Sequence, residues 1–135
     1  MGVDFKNQEG YSDPTAFEAL SQVEKEARKY RPLVYICSPY SGDVKGNTAK
    51  AIRYSRFAVD QGAIPLAPHL LLPLYMNEGT ERELALFMDM VFLGRCEEVW
   101  VFGKSVSEGM QAEIDKAKKK QMKIRYFTDE LKEDT

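Results

Sequence analysis

Four short apolar runs alternate along the chain with longer stretches in which apolar side chains recur every three or four positions. The runs are Leu33-Val34-Tyr35-Ile36-Cys37, Ala63-Ile64-Pro65-Leu66-Ala67, Val99-Trp100-Val101-Phe102 and residues 123–127. Compact runs of this kind form strands buried on both faces. The first helical stretch is expected to be capped by Asn47, to turn Ala51, Ile52, Tyr54, Ser55, Ala58 and Val59 inward, and to end at Gly62. A second covers residues 80–93, and its later half is apolar nearly all round, which predicts burial on most sides. A third runs over residues 106–121. Ahead of the first strand, Asp13-Pro14 forms a helix start, and Phe17, Leu20, Val23 and Ala27 follow at helical spacing until Pro32. That segment reads as an amphipathic arm that packs on the domain or on a second subunit.

Strands alternating with helices predict an α/β, Rossmann-like (flavodoxin-like) fold: a parallel sheet of four to five strands with helices on both faces, plus an N-terminal helix. The expected division is a leader and amphipathic helix over residues 1–32, one domain over 33–127 and an acidic tail over 128–135. Ligands of such folds bind beyond the carboxyl ends of the strands. Three unusual loops meet that condition: residues 38–42, Pro68-His69 and residues 103–109.

Composition narrows the function classes. A chain of 135 residues is one domain able to bury a core. Its net charge of −2 and lack of a basic face argue against a nucleic-acid partner, and Lys118-Lys119-Lys120 reads as a solvated helix end. No stretch approaches the roughly 20 apolar residues of a membrane span. The polar first ten residues lack a signal-peptide core, so a cytoplasmic location is expected. Cys37 and Cys96 read as small apolar side chains, and a single histidine cannot anchor a Cys/His metal cluster. Phosphate-loop, dinucleotide-fingerprint and nucleophile-elbow motifs are absent, and no cofactor is expected.

The candidate chemistry gathers around residues 105–113. Ser105 and Glu108 have the spacing of a capping box, which places Ser107 in the first helical turn, where free N–H groups and the helix dipole favour an anion. Gly109 leaves room above the turn. Glu113 borders the apolar stripe of Val106, Met110, Ile114 and Ala117; it is either a solvated helical glutamate or a catalytic carboxylate. Asp89 is the only charge within an eight-residue apolar run. It either pairs with Arg82 or Arg95 or faces a site, because an unpaired buried carboxylate is costly. Tyr35, Ser38, Tyr40 and Ser41 are candidates to line the pocket from the first strand and loop, the alternative for each tyrosine being a core ring. His69 is placed to contact a base or donate a proton, or is an ordinary loop histidine.

Val34-Tyr35-Ile36-Cys37-Ser38-Pro39-Tyr40-Ser41-Gly42, then Ile64-Pro65 with Pro68-His69, then Glu98-Val99-Trp100-Val101-Phe102-Gly103, then Ser107-x-Gly109-x-x-x-Glu113 with Ala117 follow one another in a familiar order. Over residues 33–127 the chain resembles the nucleoside 2-deoxyribosyltransferase superfamily. The likeness extends to its DUF4406 branch, labelled a domain of unknown function, and to deoxynucleoside 5′-monophosphate N-glycosidases. The resemblance implies cleavage of an N-glycosidic bond, with Glu113 as the nucleophile that forms a glycosyl-enzyme and Asp89 near sugar and base. It places Tyr35, Ser38 and Gly42 in the first-strand loop that lines the sugar and phosphate pocket. It further implies a nucleotide or nucleoside substrate and a homo-oligomer, a dimer or tetramer, whose subunits complete one another's sites.

One position separates activities within the superfamily. Nucleoside transferases resemble one another in having Asp six residues before the glutamate, where the nucleotide hydrolases have Ser; this chain has Ser107. An aspartate repels a 5′-phosphate, whereas a serine at a helix N-terminus donates to it. The expectation is therefore hydrolysis of (deoxy)nucleoside 5′-monophosphates. Base exchange by a transferase and a non-catalytic nucleotide sensor stand as alternatives. The first loop departs from the hydrolase branch, which carries more arginine and glycine there.

Overall fold

The apolar runs become four parallel strands of one sheet in the computed structural model, which describes residues 21–25 and 29–134. They are β1 (Leu33–Cys37), β2 (Ile64–Leu66), β3 (Glu98–Phe102) and β4 (Lys123–Phe127), joined by a short antiparallel β5 (Glu133–Asp134) in the order β2-β1-β3-β4-β5. The connecting helices are α1 (Val44–Asp60), α2 (Arg82–Arg95) and α3 (Glu108–Lys119). Two units divide the chain, Met1–Arg31 and Pro32–Thr135. In the first, residues 21–25 are helical, while Asp13-Pro14, Phe17, Leu20 and Ala27 of the predicted arm lie outside the described residues.

Strand alternation assigns each side chain of β1 and β3 to one of two cores. Val34, Ile36, Trp100 and Phe102 face Tyr54 and Ala58 of α1. Tyr35, Cys37, Val99 and Val101 face Leu93 of α2 and Met110, Ile114 and Ala117 of α3. Trp100, Tyr35, Tyr54 and Phe102 are fully buried, and each such side chain contributes roughly 1.5–3 kcal/mol. The first core is built on stacked rings, with Tyr54 4.3 Å from Phe102 and Phe102 5.0 Å from Phe127.

The sheet edges carry their own protection. Pro65 lacks an N–H and sits opposite Val34 on the edge strand β2. At the other edge, the segment expected as an acidic tail folds back: Glu133 receives two hydrogen bonds from Arg125, at 2.8 and 2.7 Å. The Arg125 guanidinium also lies 4.7 Å over the Trp100 ring. A single basic side chain that spans a ring and a carboxylate turns the tail into a strand with a charged, aggregation-resistant edge.

Four helix details differ from the sequence reading. The cap of α1 is Asp43, whose side chain accepts from the Gly46 N–H at 3.1 Å, and Asn47 instead donates to the Tyr40 and Ser41 carbonyls at 3.1 and 3.0 Å. A single helix covers each part of a narrow sheet, so Ile52 and Val59 at the flanks of the α1 stripe are 56% and 41% exposed. Likewise α2 contacts the sheet along one line through Asp89 and Leu93, which leaves Phe87 65% exposed. The cap of α3 is Ser107, which accepts from the Met110 N–H at 3.2 Å, so the Ser105/Glu108 capping box does not form.

From β1 the chain passes to α1 on one face, and from β3 to α3 on the other, while β1 and β3 are neighbours. Their carboxyl ends therefore diverge and open a crevice at the switch point of the sheet. Among the described residues no helix is long and apolar enough to cross a membrane. Replacing Asp43 by Ala removes the α1 cap and is expected to cost about 1 kcal/mol in urea unfolding. Asn47→Ala is expected to leave that helix start in place and to speed amide exchange in residues 40–43, read by hydrogen–deuterium exchange. Equal exchange in the two proteins would show that the loop is held by something else.

Candidate active site

Glu113 lies one turn into α3, directly over β1. Tyr35 and Cys37 are two residues apart on one face of that strand, so both reach the helix above. The Tyr35 hydroxyl donates to Glu113 Oε2. The Cys37 thiol lies 3.8 Å from the Met110 carbonyl oxygen and also interacts with the Glu113 carboxylate. Only 4% of Glu113 is exposed. Burial pushes its pKa up to about 7, the Tyr35 and Cys37 hydrogen bonds pull against that rise, and the charge of Asp89 adds to it.

Asp89, on the buried line of α2, is the second carboxyl of the site. Burial and then the charge of Glu78 raise its pKa to about 6. Among the described residues it pairs with neither Arg82 nor Arg95, and its Oδ1 has no hydrogen-bond partner. Ser38 Oγ, 2% exposed at the end of β1, is likewise without a partner. Both oxygens are free to hydrogen-bond a ligand that enters beside them, and buried polar atoms of this kind are rarely left without a partner.

Both atoms belong to residues that line a cleft of about 610 Å³. Ser38, Tyr40 and Ser41 line it from the first loop, and His69 from the loop after β2. Asp89 contributes from α2, and Ser107, Gly109 and Glu113 from α3. Ser107 caps with an oxygen lone pair and keeps its hydroxyl proton for donation. Around Gly109 nothing lies within 4 Å of where a Cβ would stand, so the first turn of α3 is open from above. Tyr40 and His69 stack at 4.9 Å, and burial lowers the histidine pKa, which keeps the imidazole neutral.

Two residues expected to line the pocket do other work. Tyr35 is fully buried beneath Glu113, and burial followed by the Glu113 charge raises its pKa well above that of an ordinary phenol. It therefore holds the carboxylate from behind as a neutral donor. Gly42 is outside the lining and supplies a turn at φ +90, which an L side chain rarely adopts. Glu78 and Arg82 also line the cleft and carry no signal in periodicity, since Glu78 lies in a turn and Arg82 is the first residue of α2. Cys37 reads in sequence as a plain strand residue, and only the register with Met110 brings it to the site. Among the described residues no group of three or more His, Cys, Asp or Glu side chains is placed to hold a metal ion.

A carboxyl whose pKa is higher in the folded than in the unfolded chain stabilises the fold while it is protonated. For Glu113 that contribution is complete below pH 4.5 and is lost as the pH rises to about 7. At about 1.4 kcal/mol per pKa unit, the loss is on the order of 3 kcal/mol. Glu113→Gln is therefore expected to melt several degrees above the wild type at pH 8 and close to it at pH 4.5, by calorimetry or circular dichroism. The same difference at both pH values would mean that the carboxyl titrates as if in solvent.

No curated protein matches the chain. The match found is to a family model, described as Domain of unknown function (DUF7768), over residues 32–127. That span includes β1 to β4, the helices α1 to α3 and every residue of the cleft. The chain belongs to this DUF7768 family.

Proposed function

We propose that the protein cleaves the N-glycosidic bond of (deoxy)nucleoside 5′-monophosphates and releases the free base, as the resemblance to the nucleoside 2-deoxyribosyltransferase superfamily implies. The observation that carries this reading is the buried Glu113, held by Tyr35 and facing a second raised-pKa carboxyl, Asp89, at one cleft. A retaining glycosidase works with two carboxyls, one as nucleophile and one as acid and base. The N-terminus of α3 is the phosphate end. There the N–H groups of Glu108 and Gly109 precede the capped Met110 N–H, and the Ser107 hydroxyl has a proton to donate.

Burial raises Glu113 to about 7 and Asp89 to about 6, so between these values the resting proton sits on Glu113 and Asp89 is ionised. The reactive form is the minor tautomer in which that proton has passed to Asp89, with the hydrogen bonds from Tyr35 and Cys37 stabilising the Glu113 anion. In that form a Glu113 oxygen attacks the anomeric carbon while the bond to the base breaks. The base takes its electron pair and the proton of Asp89, and Glu113 becomes a glycosyl ester. Water then attacks the same carbon and gives a proton to the Asp89 carboxylate, and the ester bond breaks to return Glu113 as an anion. Tyr35 holds Oε2 throughout and leaves the second carboxylate oxygen to react.

Incubation with each of the common nucleoside and deoxynucleoside 5′-monophosphates, with free base measured by chromatography, tests the reading. Base release is expected from at least one of them, with kcat/KM bell-shaped in pH and highest between about 6 and 7. Glu113→Ala is expected to lower it by about 10³-fold or more. Base exchange on addition of a second free base marks a transferase instead. A ligand that raises the melting temperature yet is recovered intact marks a sensor. Full activity in Glu113→Ala overturns the mechanism.

A further inference from the structure

A third carboxylate lines the cleft and takes no part in the chemistry above. Glu78 is exposed in the loop between the turns that follow β2 and the start of α2. The loop is self-braced. Asn77 Oδ1 accepts from the Gly79 and Thr80 N–H groups at 2.8 and 3.3 Å, and the Asn77 N–H donates to Glu81 Oε1 at 2.8 Å. The carboxylate is thus carried on a preorganised turn, where ordering on ligand binding costs little.

Its neighbours give it a direction. The Tyr40 hydroxyl meets the Glu78 carboxylate, and Tyr40 stacks on His69 at 4.9 Å. On its inner side, Glu78 is close enough for its charge to act on Asp89. A flat aromatic wall with a carboxylate on a braced turn at its edge, in the same cleft as the acid that serves the leaving base, has the make-up of a base-recognition subsite. Base–aromatic stacking tolerates any base, so the carboxylate sets the choice.

We propose that Glu78 selects guanine, by accepting from its ring N1–H and its exocyclic 2-amino group. An ionised carboxylate offers two acceptors side by side and no donor. Guanine alone among the common bases presents two adjacent donors on its pairing edge. Adenine and cytosine set a ring-nitrogen lone pair beside their amino group, and uracil and thymine flank one N–H with carbonyls. Each of these brings an acceptor against the carboxylate. The inference rests on the proposed reading that the sugar of a nucleotide sits over Glu113.

The test compares dGMP with dIMP, whose base lacks only the 2-amino group, in the full-length protein and in Glu78→Gln and Glu78→Ala. The wild type is expected to favour dGMP by about tenfold or more in kcat/KM, the scale of one hydrogen bond to a charged group. Both variants are expected to lose most of that preference while still releasing hypoxanthine. The same nucleotides are titrated calorimetrically into Glu113→Gln, which reads recognition without turnover. Equal use and equal binding of dGMP and dIMP, or a preference that survives Glu78→Ala, overturns the inference. If no nucleotide loses its base, the hydrolase reading fails. The titration then decides this inference alone: a Glu78-dependent preference for dGMP upholds it, and no such preference overturns it.

Discussion

The hydrogen bond from the Tyr35 hydroxyl to the Glu113 carboxylate joins the centre of the sheet to the helix that covers it. It exists because β1 is buried on both faces and α3 crosses directly above it, so a polar atom on either element must find its partner on the other. With Tyr35 removed from the register, Glu113 would face Cys37, a weak donor, and the charge of Asp89. The position of the carboxylate is therefore a property of the strand pairing as much as of the helix. The coupling orients the carboxylate, as the proposed covalent mechanism at a single carbon requires.

The doubly wound connection explains why chemistry gathers at that end of the sheet. β1 and β3 are partners from Val34 opposite Glu98 to Cys37 opposite Val101, and their following segments leave toward opposite faces. A crevice is left with two loops on its rim, the serine-rich turn after β1 and the entrance to α3. The side chains of Asn47 and Ser107 close those loops locally, through the Tyr40 and Ser41 carbonyls and the Met110 N–H. Helix caps here serve both stability and the shape of the cleft.

Much of this was legible in the sequence, for a physical reason. Apolar runs of five residues between amphipathic stretches leave few alternatives to a covered parallel sheet, and Asp89 and Glu113 stood out as charges in apolar surroundings. What failed to show was any property set by contact between distant elements. Ile52 and Phe87 look like core residues by periodicity, yet a narrow sheet offers each helix only one line of contact. Glu133 looks like part of a solvated tail until Arg125 is placed across the sheet from it. Asn47 and Ser105 have the chemistry of helix caps, and Asp43 and Ser107 were preferred by where the loops arrive. Tyr35 reads in sequence as a pocket-lining residue, and the structure puts it behind the Glu113 carboxylate, outside the cleft lining.

The energetic character of the cleft follows from the same burial. Two carboxyls that ionise only at about pH 6 and 7 resist charge because water has been removed from them, and the Glu78 charge increases the resistance at Asp89. A hydrophobic residue at either position would be easier to fold, so the arrangement costs stability at neutral pH. At the cleft that cost falls on the Glu113 carboxylate, Asp89 Oδ1 and Ser38 Oγ; one further buried side-chain oxygen without a partner among the described residues, Ser55 Oγ on α1, lies outside the cleft lining. The three cleft groups stand beside an open helix N-terminus, and the cores on both faces of the sheet are apolar. Destabilisation gathered at a cleft in this way is expected where a ligand supplies partners. In the proposed reaction the sugar hydroxyls and the departing base supply them, which favours the bound state.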